Sequence, residues 1–413
     1  MHKKSHRRDK GKKMALISKT LSLIKPSATI SISSLANKLK DSGHDIIALS
    51  AGEPDFDTPD NIKKAAIEAI KMGKTKYTAP DGMHQLKSAI VQKFSNENRL
   101  QYTENNISVG SGGKQIIYNA LMATLDPGDE VLIPAPYWVS YPDMVLLAKG
   151  KPRIIETSKK DNFKLTPEKL EEAISKKTKW LILNSPSNPT GACYSFDELK
   201  ELAQILEKHP DVFVLTDEIY EHLSYPPFKF YSFANVAPSL FERTLTMNGV
   251  SKAYAMTGWR IGYAGGPSKL IASMRKIQSQ TTSNPCTISQ WAAIEALSGS
   301  QEYIKNSKKI FKNRRDLVVS KLNNCMGITC PTPDGAFYAY PSIDGCIGKR
   351  SEKGQRIVDD EVFAKALLEE TGVAVVFGAA FGASPAFRVS YAESDEKLET
   401  ACYRIQQFCS KLS

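Results

Sequence analysis

The segment from Asn248 to Gly266, NGVSKAYAMTGWRIGYAGG, contains two cations and no acidic residue that could pair with them. Lys252 and Arg260 lie there among alanine, glycine and aromatic residues. A lysine in a water-poor, cation-rich environment has a lowered pKa, and its free amine can attack a carbonyl carbon. Arginine binds dianions such as a phosphate monoester. The segment therefore predicts a site for a ligand that carries both a carbonyl and a phosphate.

A second pair of candidate residues lies in LTDEIYEHL, where an apolar run gives way to a helical pattern. Asp217 and Tyr220 are three residues apart and can share a face. A buried carboxylate needs a cationic or hydrogen-bonding partner, which a protonated ring nitrogen would supply. The tyrosine hydroxyl would then reach another polar atom of the same ring. The alternative is that Asp217 only caps the helix.

The stretch SGGKQIIYNALMATL is a glycine turn that opens a helix. Gly112 and Gly113 suit a turn whose backbone N–H groups hold a phosphate at the helix N-terminus. A P-loop would need glycine at Ser108 and serine or threonine at Gln115, and the dinucleotide fingerprint would need glycine at Gln115. Neither motif matches, and a plain tight turn is the alternative.

Three further motifs each present a side chain suited to binding. In NSPSNPTG, two X-Pro steps aim Asn188 outward. PYWVSYP offers Trp138 as a flat apolar face, and AFRVSYA places Arg388 inside an apolar run, where an arginine usually binds a carboxylate or phosphate. The respective alternatives are a proline-rich connector, a core tryptophan, and an arginine paired with an internal acid.

Strand-like runs must position these motifs. The runs NISV, EVLI, WLIL, VFVL and TLTM lead into GSGGK, PAPYW, NSPSNPTG, TDEIY and NGVSK, respectively. Helical stretches such as PEKLEEAISKK and SFDELKELAQILEKH separate several of them, which indicates βαβ units and a mainly parallel sheet. Ligands of such sheets bind beyond the carboxyl ends of the strands, so the five endings should line one crevice. Ordinary loop composition would explain one or two such endings but not five.

Pyridoxal phosphate has a chemical group for each predicted contact. Its aldehyde suits Lys252, its phosphate suits Arg260, and its ring nitrogen suits Asp217. A phenolic oxygen and a flat ring face suit the remaining polar and aromatic side chains. We therefore predict pyridoxal 5'-phosphate as the cofactor.

With these motifs, the chain resembles the class I, fold-type I pyridoxal-phosphate aminotransferases, and within them the bacterial-type aspartate aminotransferases that include dual aspartate/prephenate enzymes. The similarity extends from Met14 to the C-terminus, and SKAYAMTGWRIGY and NPTG are highly specific to the class. The resemblance implies an α/β fold with two parts. A large domain contains a mainly parallel sheet flanked by helices, and a smaller α/β domain is formed by both chain ends.

The resemblance also implies a role for each candidate residue. Lys252 would bind the cofactor covalently and act as general base. Further cofactor contacts would come from Gly112, Gly113, Trp138, Asn188, Asp217, Tyr220 and Arg260. Substrate contacts would come from Gly52 in SAGEPDFDTP, Trp138, Asn188 and Arg388, the last holding the α-carboxylate. Tyr77 in KYTAPDG resembles the tyrosine that reaches the phosphate of a neighbouring subunit, which implies a homodimer with shared active sites.

The implied reaction is transamination between L-aspartate and 2-oxoglutarate, giving oxaloacetate and L-glutamate. Animal-type relatives read the distal carboxylate with an arginine just before SNP, but here QSQTT precedes SNPC. Lys114 resembles the alternative distal reader of the bacterial subgroup, and with Thr29 it matches the pair associated with the conversion of prephenate to arogenate. Phe377 replaces a proline that is frequent in relatives.

Other functions are less well supported. A class I aminotransferase of different specificity, or a pyridoxal-phosphate lyase, would share the same fold. A cofactor-sensing regulator would need a DNA-binding domain, for which a thirteen-residue basic segment is too short. The broken glycine fingerprint disfavours a nicotinamide oxidoreductase.

The chain has 413 residues and a formal net charge of +11. Residues 1–13, MHKKSHRRDKGKK, contribute +6 of this charge, so the basic balance indicates a tail rather than a nucleic-acid surface. We predict a disordered tail, the alternatives being a transit peptide and a functional basic arm. The first part of the smaller domain would span 14–60, the cofactor-binding domain 61–298, and the second part of the smaller domain 299–413.

The seven cysteines form no CxxC pair and are odd in number, which disfavours both a disulfide framework and a metal site. The sequence contains no run of eighteen or more apolar residues, so we predict no membrane span. We therefore expect a cytoplasmic enzyme whose partners are amino acids and 2-oxo acids, without nucleic acid or membrane.

Overall fold

The computed structural model describes residues 16–24 and 26–413, so the predicted tail over residues 1–13 lies outside the described residues. The described residues form twelve strands: β1 (Ile47–Ala48), β2 (Ile107–Gly110), β3 (Glu130–Ala135), β4 (Lys151–Glu156), β5 (Thr178–Asn184), β6 (Phe213–Asp217), β7 (Thr244–Gly249), β8 (Gly262–Gly265), β9 (Tyr338–Ala339), β10 (Val373–Ala374), β11 (Val376–Phe377) and β12 (Phe387–Ser390). The same residues form thirteen α-helices: α1 (Ala28–Asp41), α2 (Asp60–Lys71), α3 (His84–Asn98), α4 (Gly113–Thr124), α5 (Ser140–Leu147), α6 (Pro167–Ala173), α7 (Phe196–Glu207), α8 (Phe233–Val236), α9 (Ser268–Thr281), α10 (Thr287–Ser298), α11 (Glu302–Asn323), α12 (Asp360–Thr371) and α13 (Asp395–Ser410).

Seven strands form the large sheet, in the order β2-β8-β7-β6-β5-β3-β4. The neighbours from β4 through β3, β5 and β6 to β7 are all parallel. β8 is antiparallel to both β7 and β2, so it is the one reversed strand of this sheet. The predicted runs are confirmed as β2, β3, β5, β6 and β7, and the mainly parallel sheet is confirmed with them.

Both faces of the sheet are covered by helices. In β5, Trp180 and Ile182 join an apolar core with α4 and α9, whereas Leu181 and Leu183 join a core with α6 and α7. All four side chains are at most 2% exposed. A strand buried on both faces reads as a continuous apolar run, as WLIL does. This packing fixes the strand ends from which the site is built.

Local capping signals set the bounds of the flanking helices. Ser195 accepts a hydrogen bond from the backbone N–H of Glu198, and the Glu198 side chain accepts one from the Ser195 N–H at 2.7 Å. This capping box satisfies two N–H groups that the helix leaves unpaired. α7 therefore begins immediately after Ser195, inside the predicted stretch SFDELKELAQILEKH.

The two ends of the chain meet in two small sheets. β1 pairs in parallel with β10, which aligns Ile47 with Val373, and β9, β11 and β12 form an antiparallel sheet. α11, α12 and α13 share one apolar core with these strands. The smaller α/β part formed by both chain ends is thus present, while the domain bounds 14–60, 61–298 and 299–413 stay a prediction. None of the helices in the described part of the chain is long and apolar enough to cross a membrane.

Candidate active site

A cleft of about 680 Å³ lies at the carboxyl ends of the parallel strands. All five strand endings singled out in the sequence contribute to its lining. Eleven of the thirteen predicted site residues line it: Thr29, Gly52, Gly113, Lys114, Trp138, Asn188, Asp217, Tyr220, Lys252, Arg260 and Arg388. The fold thus gathers residues that are up to 359 positions apart, from Thr29 on α1 to Arg388 on β12.

Lys252 lies on the loop between β7 and β8, and its Nζ donates a 2.6 Å hydrogen bond to the carbonyl oxygen of Gly52. Burial lowers the pKa of Lys252 to about 8. The guanidinium groups of Arg260 and Arg388 act in the same direction, while Glu53 opposes them. A fraction of the amine is therefore unprotonated near neutral pH, as attack on a carbonyl carbon requires.

Asp217 is the last residue of β6 and is 4% exposed. Burial raises its pKa to about 6, although the hydroxyl of Tyr141 donates a hydrogen bond to its Oδ2 at 2.6 Å. The following short helix, Glu221–Leu223, has no side-chain cap, so the alternative that Asp217 caps it is wrong. Its buried carboxylate is instead available to a cationic hydrogen-bond donor in the cleft.

A guanidinium and a helix N-terminus meet at the glycine turn. Gly112 has φ 84°, and a Cβ there would lie 2.3 Å from Nη2 of Arg260. Arg260 donates to the backbone oxygens of Thr257 and Ser111 and to no carboxylate among the described residues. α4 begins at Gly113, directly beside this group. Helix N-terminal N–H groups next to an unpaired guanidinium form a cradle for a phosphate.

Arg388 is 2% exposed and has only uncharged hydrogen-bond partners. Its Nη1 donates to Oδ1 of Asn188 at 2.9 Å and its Nη2 to the carbonyl oxygen of Ser50 at 2.7 Å. Its Nε has no partner among the described residues. The guanidinium lies 4.5 Å from the ring centre of Tyr338 and 5.1 Å from that of Phe381. The alternative of an internal acid is therefore wrong within the described residues, and a ligand carboxylate would complete the site.

Trp138 combines the two roles that the sequence left open. It lines the cleft, and it also packs against the apolar core and edge-on against Tyr141, with ring centres 5.4 Å apart. The ammonium of Lys114 lies 5.0 Å from the Trp138 ring. Burial and the charge of Arg260 lower the pKa of Lys114, and Asp143 opposes them. Lys114 is thus a cation placed inside the cleft rather than on an open surface.

Two predicted residues do not line the cleft. Gly112 lies directly against the guanidinium of Arg260. Tyr77 is 91% exposed. Thr29 reaches the cleft from α1, where its hydroxyl lies 2.9 Å from that of Ser27. Phe377 lies in β11 opposite Phe387, one residue from the pair of Val376 with Arg388. The substitution at Phe377 therefore falls on the strand that supports the arginine.

Among the cleft-lining residues that the sequence analysis did not single out are Tyr141, Asn184 and Tyr338, which contact predicted site residues directly. Asn184 ends β5 and donates to the carbonyl oxygen of Asp217 at 2.9 Å, while its Oδ1 accepts from the N–H of Asn188 at 2.8 Å. The hydroxyls of Tyr338 and Tyr220 are 2.9 Å apart. Asn184 is the last residue of β5, so its position at a strand end was the signal that could have found it. Tyr141 stands inside PYWVSYP but belongs to α5, and its position carried no such signal.

Together, the fold and the cleft define an α/β protein in which a lysine of lowered pKa, a guanidinium beside a helix N-terminus and a buried carboxylate lie at the carboxyl ends of parallel strands. The family model described as aminotransferase class I and II matches residues 44–405. The chain therefore belongs to the class I and II aminotransferase family.

Individual relatives agree with this assignment. The aspartate/prephenate aminotransferase of Cereibacter sphaeroides is 62% identical over 400 residues, which cover 97% of this chain and 100% of that protein. Among solved structures, the aspartate aminotransferase from Rhizobium meliloti has a TM-score of 0.94 at 50% identity, covering 97% of this chain and 100% of that one. The aspartate aminotransferase from Thermus thermophilus with maleate has a TM-score of 0.89 at 43% identity, covering 96% and 100%.

Proposed function

We propose that this chain is a pyridoxal-phosphate-dependent aspartate aminotransferase. It transfers the amino group between L-aspartate and 2-oxoglutarate, giving oxaloacetate and L-glutamate, and it also converts prephenate to arogenate. The observation that carries the proposal is that Lys252, Asp217 and Arg388 lie together in one cleft. The name of the Cereibacter relative supports both substrates, and the maleate in the Thermus structure is a dicarboxylate, as aspartate is.

The residues present fit pyridoxal phosphate. Lys252 would hold the aldehyde carbon, and the Arg260 cradle at the start of α4 would hold the phosphate. Asp217 would hold the ring nitrogen, and Trp138 would cover the ring face. When bound, the cofactor supplies an electron sink for negative charge that develops at the substrate Cα.

The side chains of Arg388, Lys252 and Asp217 would carry out the binding and the proton transfers. Arg388 binds the substrate α-carboxylate with a planar pair of donors, which fixes the orientation of Cα. Nζ of Lys252 would take the proton from the substrate Cα, and the bound cofactor would supply the carbon to which the proton is passed on; the lowered pKa of Lys252 suits both transfers. The carboxylate of Asp217 would hold a proton on the ring nitrogen of the cofactor, because its burial limits competition from water.

A homodimer in the cytoplasm is part of the proposal. Tyr77 is exposed, as are Ile67, Ile70 and Met72 on and beside α2, which supports a subunit contact through which Tyr77 reaches a neighbouring cleft. The seven cysteines are free thiols, which supports a reducing compartment. Sedimentation of the purified protein measures the oligomeric state directly.

The visible spectrum and a coupled assay test the function. Protein loaded with pyridoxal phosphate should show the band of the lysine-bound cofactor, and aspartate should shift it. Aspartate and 2-oxoglutarate together should yield oxaloacetate. A different aminotransferase specificity would shift the band with another amino acid but not with aspartate, and a lyase would release product without 2-oxoglutarate. A protein that takes up no cofactor would contradict all three.

A further inference from the structure

A buried ion pair lies behind the cleft and has no part in the steps above. Lys93 of α3 is 3% exposed and Glu221 is 5% exposed. Nζ of Lys93 donates to Oε1 of Glu221 and, at 2.7 Å, to Oδ1 of Asn98. Lysine is almost never fully buried unless it is paired. The Lys93–Glu221 ion pair therefore belongs to the protein interior and is not a solvated surface contact.

Glu221 joins three segments of the chain through its two oxygens. Besides Lys93, its Oε1 accepts from Nδ2 of Asn248 at 2.8 Å, and its Oε2 accepts from Nδ2 of Asn98 at 2.5 Å. Asn98 and Asn248 are 5% and 1% exposed. α3, the segment after β6 and the end of β7 thus converge on one carboxylate.

Two of these segments, the one after β6 and the end of β7, lie next to residues that line the cleft. Glu221 directly follows Tyr220 and is four residues beyond Asp217, and Asn248 is four residues before Lys252. The Oδ1 of Asn248 also accepts from the N–H of Gly249 at 2.8 Å, which fixes its amide.

We propose that Lys93 is a positioning residue for transamination, which acts through Glu221 and Asn248 to hold Lys252 in place relative to Asp217. The inference rests on the proposed function.

The groups around the Lys93–Glu221 pair favour an internal cation over a metal ion at this place. One ligand atom each of Glu97, Glu221 and His222 lie within 4.8 Å of one another, a spacing that would also suit a metal. The ammonium of Lys93 lies beside them, 3.5 Å from Oε2 of Glu97, and supplies the positive charge itself. Burial and the charge of Glu221 raise the pKa of Glu218 to about 8, so this neighbour adds no second negative charge near neutral pH.

Three variants separate positioning from folding. Lys93→Met leaves Glu221 buried without its cation, which destabilises a fold strongly. Asn248→Ala keeps the ion pair and removes the bond between Asn248 and Glu221, together with the hydrogen bond from the N–H of Gly249. The double variant Lys93→Met with Glu221→Gln removes both charges, and its amide oxygen can still accept from Asn248.

Lys87→Met is the matched control, because it makes the same change on the same helix. Lys87 pairs with Asp81 at 2.5 Å, and the two side chains are 11% and 4% exposed. This pair does not line the cleft.

The test is kcat and KM for aspartate and 2-oxoglutarate, with the visible band of the cofactor-loaded enzyme followed against pH. Misplacing a reacting group by about 1 Å costs on the order of 100-fold in rate. We expect kcat of Asn248→Ala to fall about 10- to 100-fold with KM within threefold, and the pH midpoint of the band to move. The double variant should retain more activity than Lys93→Met. Lys87→Met should keep the wild-type kcat, KM and band midpoint even though it lowers stability by leaving Asp81 buried without its cation.

Three results would overturn the inference. If Asn248→Ala kept the wild-type kcat and band midpoint, the hydrogen bond between Glu221 and Asn248 would not position Lys252. This result would overturn the inference even if Lys93→Met did not fold. An equal loss in Lys87→Met would show a general effect on the helix. An inactive wild-type enzyme would instead refute the proposed function and this inference with it.

Discussion

Nζ of Lys252 and the carbonyl oxygen of Gly52 are 2.6 Å apart, although 200 residues separate them in sequence. The bond joins the loop after β7 to the segment after β1, and so connects the large sheet with the part formed by both chain ends. A ligand that reacts with the amine must replace Gly52 as its partner. The nitrogen is therefore held in the cleft before any ligand arrives, which reduces the entropic cost of reaction.

Lys252→Ala should abolish turnover, because it removes both the covalent attachment and the proton carrier. We expect kcat to fall by at least about 10⁴-fold. The variant should still bind pyridoxal phosphate, through Arg260 and the start of α4, and should lose it on extensive dialysis. Absorption spectra before and after dialysis measure this, and residual turnover above a hundredth of wild type would contradict the role of Lys252.

Asp217→Asn should make the cofactor-free protein more stable and the enzyme less active. Burial raises the pKa of Asp217 from 3.8 to about 6, so the folded state binds its proton more tightly than the unfolded state. Wild-type stability therefore falls as pH rises through this window, and the cost is complete above it.

Two pKa units correspond to about 2–3 kcal/mol, which the asparagine variant should recover at pH 7 and not at pH 3.5. Urea unfolding at the two pH values measures the difference. Transamination should fall by several orders of magnitude, because the ring nitrogen would lose its carboxylate. An equal stability change at both pH values would exclude titration of Asp217 as the cause.

Arg388→Lys should weaken substrate binding without changing the cofactor. The lysine keeps the charge and loses the planar pair of donors, which we expect to cost about 3 kcal/mol, or about 100-fold in kcat/KM for every amino acid. The visible band of the loaded enzyme should stay at its wild-type position. Steady-state rates with aspartate and glutamate check the first part. A loss confined to aspartate would contradict a role at the α-carboxylate, which all substrates share.

Lys114→Ala should change substrate choice more than overall activity. If Lys114 reads the distal carboxylate, its loss should cost about 1.5–3 kcal/mol with aspartate and prephenate, or about 10- to 100-fold in kcat/KM. A substrate with one carboxylate should lose much less. Thr29→Ala should reduce the prephenate rate more than the aspartate rate. An unchanged ratio between dicarboxylate and monocarboxylate rates in Lys114→Ala would exclude it as the distal reader.

Gly262→Ala should damage the phosphate cradle from behind. A Cβ at Gly262 would lie 2.3 Å from the backbone nitrogen of Gly113 and 2.4 Å from the carbonyl carbon of Gly112. Relieving that overlap requires a backbone shift costing about 1–3 kcal/mol, and we expect cofactor affinity to fall about tenfold. Gly258→Ala, on the loop that leads into β8, is the control, because its Cβ would meet no atom within 4 Å. Equal affinities in both variants would contradict the prediction.

The strands of the large sheet were predictable where burial on both faces demands apolar residues. WLIL and VFVL became β5 and β6, and their last residues turned into the cleft. β4 and β8 were not predicted, for opposite reasons. β4, KPRIIE, is an edge strand with four exposed residues. β8, GYAG, has only four residues, two of them glycines, and its Gly262 passes directly against Gly113.

The sequence predicted site residues only where a single motif contains a chemically distinctive side chain. Lys252, Asp217 and Arg388 are chemically conspicuous in apolar surroundings, and the sheet brings them together. Tyr141 was not conspicuous, since its bond to Asp217 spans 76 residues and depends on the packing of α5. The link between Lys93 and Glu221 spans 128 residues, and neither partner differs in local sequence from a surface charge.

The reversal of β8 makes the connection over residues 250–261 a closed loop, because Gly249 and Gly262 are paired neighbours. The parallel connections can lengthen or shorten on the surface while their strands stay in place. This loop, by contrast, carries both Lys252 and Arg260. We expect a one-residue insertion between the two residues to move one relative to the other, and so to weaken the binding of any ligand that contacts both, while β7 and β8 stay paired.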